Sequence, residues 1–135
     1  MITRKVHIRH WTALFLFSFD PQDAEGIKEA LLWADAPHSI IAKVRSNVLA
    51  GRLNEGFCYS NPLLRRTVYG IGEASSGPQV LDSIVHEIIH MVQHIGRAEG
   101  LDPYGEEVAY LGGDISCEIS DIVCELSCPH CNRHG

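Results

Sequence analysis

The chain has 135 residues, of which 45% are hydrophobic and 21% are charged, and this balance indicates one globular domain rather than a disordered segment. The formal net charge is −6 and no run of Lys or Arg exceeds two residues. Binding to a phosphate backbone needs a basic face, so nucleic acid is not an expected partner. No apolar stretch is long enough to span a membrane, so no membrane partner is expected either. The sequence carries no indication of the oligomeric state.

The first predicted element is a strand over residues 6–19, central in a sheet, because β-branched and aromatic residues dominate this stretch. Basic residues precede an apolar run that begins at Trp11, and this order loosely resembles a secretory signal. The run is short, however, Asp20-Pro21 ends it, and no small-x-small cleavage site follows. A buried strand is therefore the preferred interpretation, and it agrees with a cytoplasmic location.

Two helices and two short strands are predicted next. Asp20-Pro21-Gln22-Asp23 is typical of a helix cap with proline in the first turn. The first helix carries Ile27, Leu31 and Leu32, and a second helix ends at Gly51. Strands at 56–59 and 67–71 flank the Asn61-Pro62 turn, and a Ser/Gly-rich link at 73–77 follows them. The class is thus α+β, with a small mixed or antiparallel sheet packed on helices.

The most informative stretch is residues 80–93, VLDSIVHEIIHMVQ, which contains an HExxH motif. On a helix, His86 and His90 lie one turn apart on the same face and can bind one zinc ion. Glu87 follows the first ligand, where its carboxylate can act as general base on a zinc-activated water. Apolar residues at helical spacing surround the motif, Pro78 suits the first turn, and Gly96 is the predicted stop. A chance match on a surface helix is the alternative interpretation.

Catalytic zinc sites usually have three protein ligands, so a third ligand is expected after the motif. The candidates are His94, Glu99, Asp102, Glu106, Glu107 and Asp114. His94 lies two turns from His86, about 12 Å along the helix axis, which is too far for both to bind one ion. It is interpreted as a neighbour or substrate contact at best, and rather as a plain polar residue. A last helix, predicted from about residue 106 to 126, carries the two adjacent glutamates.

Residues 66–115 resemble the gluzincin branch of HExxH metallopeptidases, which includes thermolysin-like enzymes and the compact minigluzincins. In that branch a glutamate on the helix after the motif is the third zinc ligand, commonly with a small residue three positions later. Glu106 has Ala109 at this position, in Glu-x-x-Ala-Tyr, so the resemblance favours Glu106 over Glu107. It also implies a minimal zincin-like domain. The strand before the motif helix, residues 68–71, would be an edge strand that pairs with extended peptide substrate.

The chain also departs from this family. Thermolysin-like enzymes have an aspartate four residues after the ligand glutamate, where this chain has Tyr110; Asp82 or Asp114 are alternatives for orienting a histidine. The third histidine of the metzincin branch is missing from the sequence. Tyr69, Tyr104 and Tyr110 are candidate hydrogen-bond donors to the transition state.

The five cysteines, an odd number, favour a reducing compartment or metal binding over a disulfide scaffold. Four of them lie in the last nineteen residues, together with His130 and His134. A second, structural zinc site is possible at Cys124, Cys128, Cys131 and His134, because their spacings are short. Buried free cysteines in a helix and its tail are the preferred alternative. Weaker alternatives are an iron–sulfur motif and a redox pair at Cys128 and Cys131.

These observations predict a zinc-dependent metallopeptidase whose substrate is a peptide or protein. Zinc on His86, His90 and Glu106 would activate a water, and Glu87 would take the water proton and deliver it to the leaving amine. The alternative is a non-catalytic zinc-binding or interaction protein that keeps a zincin-like site. The intact Glu87 favours the enzyme, because a purely structural site has no use for that base.

Overall fold

The structure is a computed structural model, and it describes residues 1–52, 56–73 and 76–127. Within these ranges the elements are β1 (Ile2–Ile8), β2 (Trp11–Phe19), α1 (Ala24–Trp33), α2 (His38–Leu49), β3 (Phe57–Asn61), β4 (Arg66–Gly72), α3 (Gly77–Glu99), α4 (Glu106–Glu118) and α5 (Ser120–Ser127). The strands form one mixed sheet in the order β1-β2-β4-β3. The predicted α+β class and the small mixed sheet are therefore confirmed. Among the described helices, none combines the length and the apolar character needed to cross a membrane.

The first predicted strand is in fact two strands. Arg9 and His10 both have positive φ angles, 50° and 65°, and they turn the chain so that β1 pairs with β2 as an antiparallel hairpin. Left-handed backbone at both central positions is typical of a tight hairpin turn, although neither residue is glycine. The prediction of a single strand over residues 6–19 was therefore wrong, while β2, its second half, does lie inside the sheet.

The position of the strand before the motif helix also differs from the expectation. β4 pairs with β2 in parallel and with β3 in antiparallel orientation, so it is an internal strand. The prediction that residues 68–71 form the edge was wrong. The edge strand on this side of the sheet is β3, because β2 occupies the other side of β4.

Helices cover both faces of the sheet. Leu16 and Val68 pack with α1 and α2 on one face. Phe15, Phe17 and Tyr69 pack on the other face with α3, α4 and α5. Burial on both faces explains the nearly continuous apolar sequence of β2, since neither side of this strand contacts water.

The helix boundaries follow local capping. Asp20 forms a capping box with Asp23 and leads through a short 3-10 turn into α1, as predicted. α3 begins after Ser76, whose hydroxyl accepts from the Gln79 N–H at 3.3 Å. It continues through Gly96 and ends at Gly100, where φ is 69°.

The predicted stop at Gly96 was therefore wrong. Gly96 is buried in α3, and a β-carbon built on it would make an ordinary contact with Val108 of α4, at 3.8 Å. The predicted last helix was also wrong in extent, because the chain breaks it at Ile119 into α4 and α5.

Gly70 in β4 provides a test of this packing. A β-carbon at Gly70 would overlap the ring of Phe57, which packs on Phe19 with ring centroids 6.0 Å apart. We expect Gly70→Ala to lower the free energy of unfolding by about 1–3 kcal/mol through overpacking. Urea denaturation followed by circular dichroism measures this change.

The matched control is Gly113→Ala in α4, where no atom lies within 4 Å of the added carbon. Alanine is the better helix former, so this variant should be neutral or more stable by about 0.5–1 kcal/mol. Equal stability of Gly70→Ala and wild type would contradict the described packing of β3 against β4.

Candidate metal and catalytic site on α3

His86 and His90 lie on the solvent-exposed face of α3, one turn apart, and their rings meet edge to face. Their Nε2 atoms are 3.2 Å apart. Two nitrogens bound to one tetrahedral zinc ion at its usual bond length would be separated by about 3.3 Å. The spacing of the pair therefore fits a shared metal ion, as the HExxH motif predicts.

Glu87 points into the protein rather than outward, because each residue of a helix is rotated by about 100° from the one before it. The side chain is 5% exposed, and its Oε1 atom lies 3.9 Å from His86 Nε2. Gly56 covers it: a β-carbon there would lie 2.8 Å from Glu87 Cγ. Burial raises the pKa of Glu87, and the charges of His90 and His86 oppose this shift. Glu87 is thus a buried carboxylate directly beside the exposed histidine pair.

A hydrogen-bond chain joins α3 to the sheet next to this carboxylate. Alternate residues of β3, Cys58 and Ser60, face α3. Ser60 Oγ lies 2.8 Å from His94 Nδ1 and 2.7 Å from Thr67 Oγ1, which accepts from Trp11 Nε1 at 2.7 Å. Cys58 Sγ lies 3.9 Å from the same His94 nitrogen. His94 was interpreted from the sequence as a plain polar residue, and the structure instead makes it the polar link between α3 and β3.

Burial changes the acidity of the groups around this chain. Burial, and then the charge of Glu87, raise the pKa of the Cys58 thiol. Burial lowers the pKa of His94, and the positive charges of His90 and Arg97 lower it further. Cys58 is therefore a protonated thiol, unsuited to act as a nucleophile, and His94 is neutral near pH 7.

The three tyrosines considered as donors have different positions. Tyr69 is fully buried and donates to the backbone carbonyl of Ile84 at 2.8 Å, so it supports α3 and does not face a substrate. Its pKa is raised by burial first, and then by Cys58 and Glu87. Tyr104 and Tyr110 are exposed.

Glu106 lies at the first residue of α4, remote from the histidine pair. The contacts of Gly112 with Val92 and of Gly96 with Val108 show that α4 runs antiparallel to α3. Glu106 lies six positions before Gly112, about 9 Å along the helix, in the direction away from His90. In the described residues, no group of three His, Cys, Asp or Glu side chains could hold a metal ion. The structure thus brings together His86 and His90, and Glu106 does not join them.

Glu107, the alternative third ligand, is engaged elsewhere. Its Oε2 atom lies 3.4 Å from Arg9, which also binds Glu99 at 2.8 Å. These ion pairs hold the start of α4 against the end of α3 and the β1–β2 turn. Asp82 and Asp114, considered for orienting a histidine, are both exposed.

The C-terminal cysteines are described only in part. Cys117 on α4 and Cys124 on α5 are exposed. Cys128, Cys131 and His134, the other members of the predicted second zinc site, lie outside the described residues, as does His130. The prediction of a structural zinc there stays a prediction.

A groove of about 1010 Å³ runs between α3 and α4. Apolar side chains and small residues line most of it, including Ile89, Val92, Ala109 and Gly113, together with the polar residues Gln93, His94 and Arg97. His86, Glu87 and His90 are not part of its lining, so the groove is separate from the histidine pair.

The lowered pKa of His94 predicts a pH dependence of stability. Below the unfolded pKa of about 6.5, the unfolded chain binds a proton at this residue before the folded chain does. The free energy of unfolding should therefore fall as pH decreases from about 6.5, and His94→Gln should show a smaller fall over pH 5 to 7. Urea denaturation of metal-free protein measures both slopes. His38→Gln, on exposed α2, controls for the loss of one histidine, and equal slopes in wild type and His94→Gln would contradict the buried neutral state.

Comparison of the chain with models of known protein families, with curated proteins and with solved structures finds no match. The likeness to gluzincins therefore rests on the HExxH motif and on the Glu-x-x-Ala-Tyr sequence alone.

Proposed function

We propose that the chain is a zinc-dependent metallopeptidase that hydrolyses peptide bonds, with His86 and His90 as metal ligands and Glu87 as general base. One observation carries this proposal. An exposed histidine pair, with Nε2 atoms 3.2 Å apart, stands next to a buried carboxylate on the same helix. Two imidazoles at this spacing suit zinc, and they leave coordination positions for water and substrate.

A zinc ion at this site would supply Lewis acidity, which lowers the pKa of water towards 7 and polarises a carbonyl group. Glu87 would take the proton of the attacking water and later deliver it to the leaving amine. Its position supports this role, because the carboxylate is buried and its Oε1 atom lies 3.9 Å from His86 Nε2. Gly56 lies against the Cγ atom of Glu87 and restricts the movement of the side chain.

The edge strand β3 supports a peptide as the substrate class. Within the described sheet, β3 pairs with β4 alone, so its outer backbone groups are open to an added strand. Ser60 holds β3 next to His94 of α3, four residues after His90. An extended peptide on this edge would run beside the histidine pair. Strand addition, which the resemblance assigned to residues 68–71, is therefore proposed at β3.

The third metal ligand stays a prediction. Glu106 shares the face of α4 that carries Ala109 and Gly113, and this face lines the groove. Glu106 lies level with about residue 98 of α3, so α4 would have to shift by about 12 Å, more than two helical turns, to bring it level with His90.

This placement of Glu106 favours a second candidate function. A zinc-binding or interaction protein could use the histidine pair without three fixed ligands and without turnover. The buried Glu87 argues against this alternative, because burying a carboxylate costs free energy that a binding module does not need to spend. The distinction rests on catalysis and is measurable.

The first prediction concerns the metal. We expect wild type to bind zinc through His86 and His90, so that the double variant His86→Ala, His90→Ala contains one zinc fewer per chain. The control is the double variant His7→Ala, His38→Ala, at exposed positions of β1 and α2. Inductively coupled plasma mass spectrometry of dialysed protein measures the zinc content, and equal zinc in wild type and the α3 variant would remove this site.

The same assay separates the two glutamates. If Glu106 is the third ligand, Glu106→Ala should weaken zinc binding by about 10-fold or more, while Glu107→Ala stays close to wild type. Equal affinities in all three proteins would show that neither glutamate binds the ion.

The second prediction concerns catalysis. Glu87→Gln keeps the shape of the side chain but cannot accept a proton, so we expect equal zinc content and a loss of about 10²–10⁴-fold in the rate of peptide cleavage. Wild type and variant are incubated with a mixed peptide library, and the products are read by mass spectrometry. Equal cleavage by both would point to a contaminating protease, and no cleavage by wild type would favour the binding module.

A further inference from the structure

Hydrogen bonds run from Trp11 through Thr67 and Ser60 to His94, and Trp11 decides which atom donates in each of them. The indole N–H of Trp11 can only donate, so Thr67 Oγ1 must accept from it. If Thr67 then donates to Ser60 and Ser60 donates to His94 Nδ1, each hydroxyl gives one hydrogen bond and receives one. In this arrangement His94 Nδ1 is an acceptor.

The opposite direction is less favourable. If His94 Nδ1–H donated to Ser60, and Ser60 donated to Thr67, then Thr67 would receive two hydrogen bonds. The hydroxyl proton of Thr67 would then have no side-chain acceptor within this hydrogen-bond network, although Thr67 is fully buried. A buried donor without a partner is costly, so the first direction is preferred.

Cys58 is compatible with the same assignment, since its sulfur lies 3.9 Å from His94 Nδ1 and a thiol is both a weak donor and a weak acceptor. With the Ser60 hydroxyl donating to Nδ1, the ring proton of neutral His94 lies on Nε2.

The Nε2 edge of the ring faces away from β3, because Nδ1 is the edge bound to Ser60. The ring of His94 lies next to that of His90, with the two centroids 6.3 Å apart. This separation is close to two residues of extended chain, at about 3.3 Å per residue. A peptide whose scissile bond lies at the histidine pair would place a neighbouring peptide group at His94.

We propose that His94 is a substrate-binding residue whose Nε2–H donates a hydrogen bond to a backbone carbonyl oxygen of the bound peptide, next to the scissile bond. This inference rests on the proposed peptidase function. The hydrogen bonds through Ser60, Thr67 and Trp11 place the ring proton on Nε2 and hold the ring of His94 in position. Since any peptide offers backbone carbonyls, the contact would bind substrate without selecting a particular side chain.

The first experiment tests the tautomer in metal-free protein, whether or not the chain is a peptidase. Nitrogen-15 NMR of labelled wild type above pH 7 should show His94 protonated at Nε2 and bare at Nδ1. Ser60→Ala should shift the Nδ1 resonance and leave His38 unchanged. A proton on Nδ1 of His94 in wild type would overturn the inference.

The second experiment separates binding from packing. His94→Phe keeps a ring but removes the donor, so KM for a cleaved peptide should rise about tenfold while kcat changes by less than about twofold. His94→Gln can place an amide N–H near the position of Nε2, and its KM should return towards wild type. Circular dichroism confirms that each variant is folded, and His38→Phe controls for an added ring.

The outcomes distinguish the two proposals. Cleavage by wild type with equal KM in His94→Phe would overturn the role of His94 and leave the peptidase intact. If KM of His94→Gln does not return towards the wild-type value and kcat is lowered in both variants, His94 acts in packing alone. This result would also overturn the inference. If wild type cleaves no peptide, the peptidase and the substrate role of His94 both fall. If His94→Phe does not fold, the comparison of Ser60→Ala with wild type replaces it, with a smaller rise in KM expected.

Discussion

The rotation of α3 about its own axis is the constraint on which the candidate site depends. Ile84, Ile88 and Ile95 bury one side of this helix against the sheet, and a rotation by even one residue would expose them. With that side held, His86 and His90 must face solvent while Glu87 must face the core. Burying the apolar residues therefore also raises the pKa of the carboxylate and leaves the histidine pair accessible.

The edge strand β3 contributes to both faces of the sheet. Phe57 and Tyr59 pack towards α1 and α2, whereas Cys58 and Ser60 face α3. The two-residue period of the strand thus connects the hydrophobic layer behind the sheet to the polar network in front of it. A peptide added to the outer side of β3 would meet the His94 side of α3 first and the histidine pair about one helical turn farther along.

The helix α4 carries Glu106, the predicted third ligand. Gly96 of α3 faces Val108, Gly112 of α4 faces Val92, and Arg9 binds both Glu107 and Glu99 at one end of the helix pair. These contacts set the register of α4, and the register determines which side chains stand level with His90. In this register Glu106 lies away from the histidine pair, at the end of α4 that Arg9 holds.

The sequence by itself determined the α+β class, the capped helix after Asp20, the long motif helix and the convergence of His86 with His90, because each follows from contacts within a few residues. It did not reveal the turn at Arg9, which needs positive φ at two residues that do not favour it. Nor did it reveal that β3 rather than β4 is the edge, since strand order depends on pairing between distant segments. Cys58 and Ser60, two positions apart and so on one face of β3, were the available signal for the His94 network. Only the tertiary structure decided that network and the distance of Glu106 from the pair, because both depend on how separate elements pack in register.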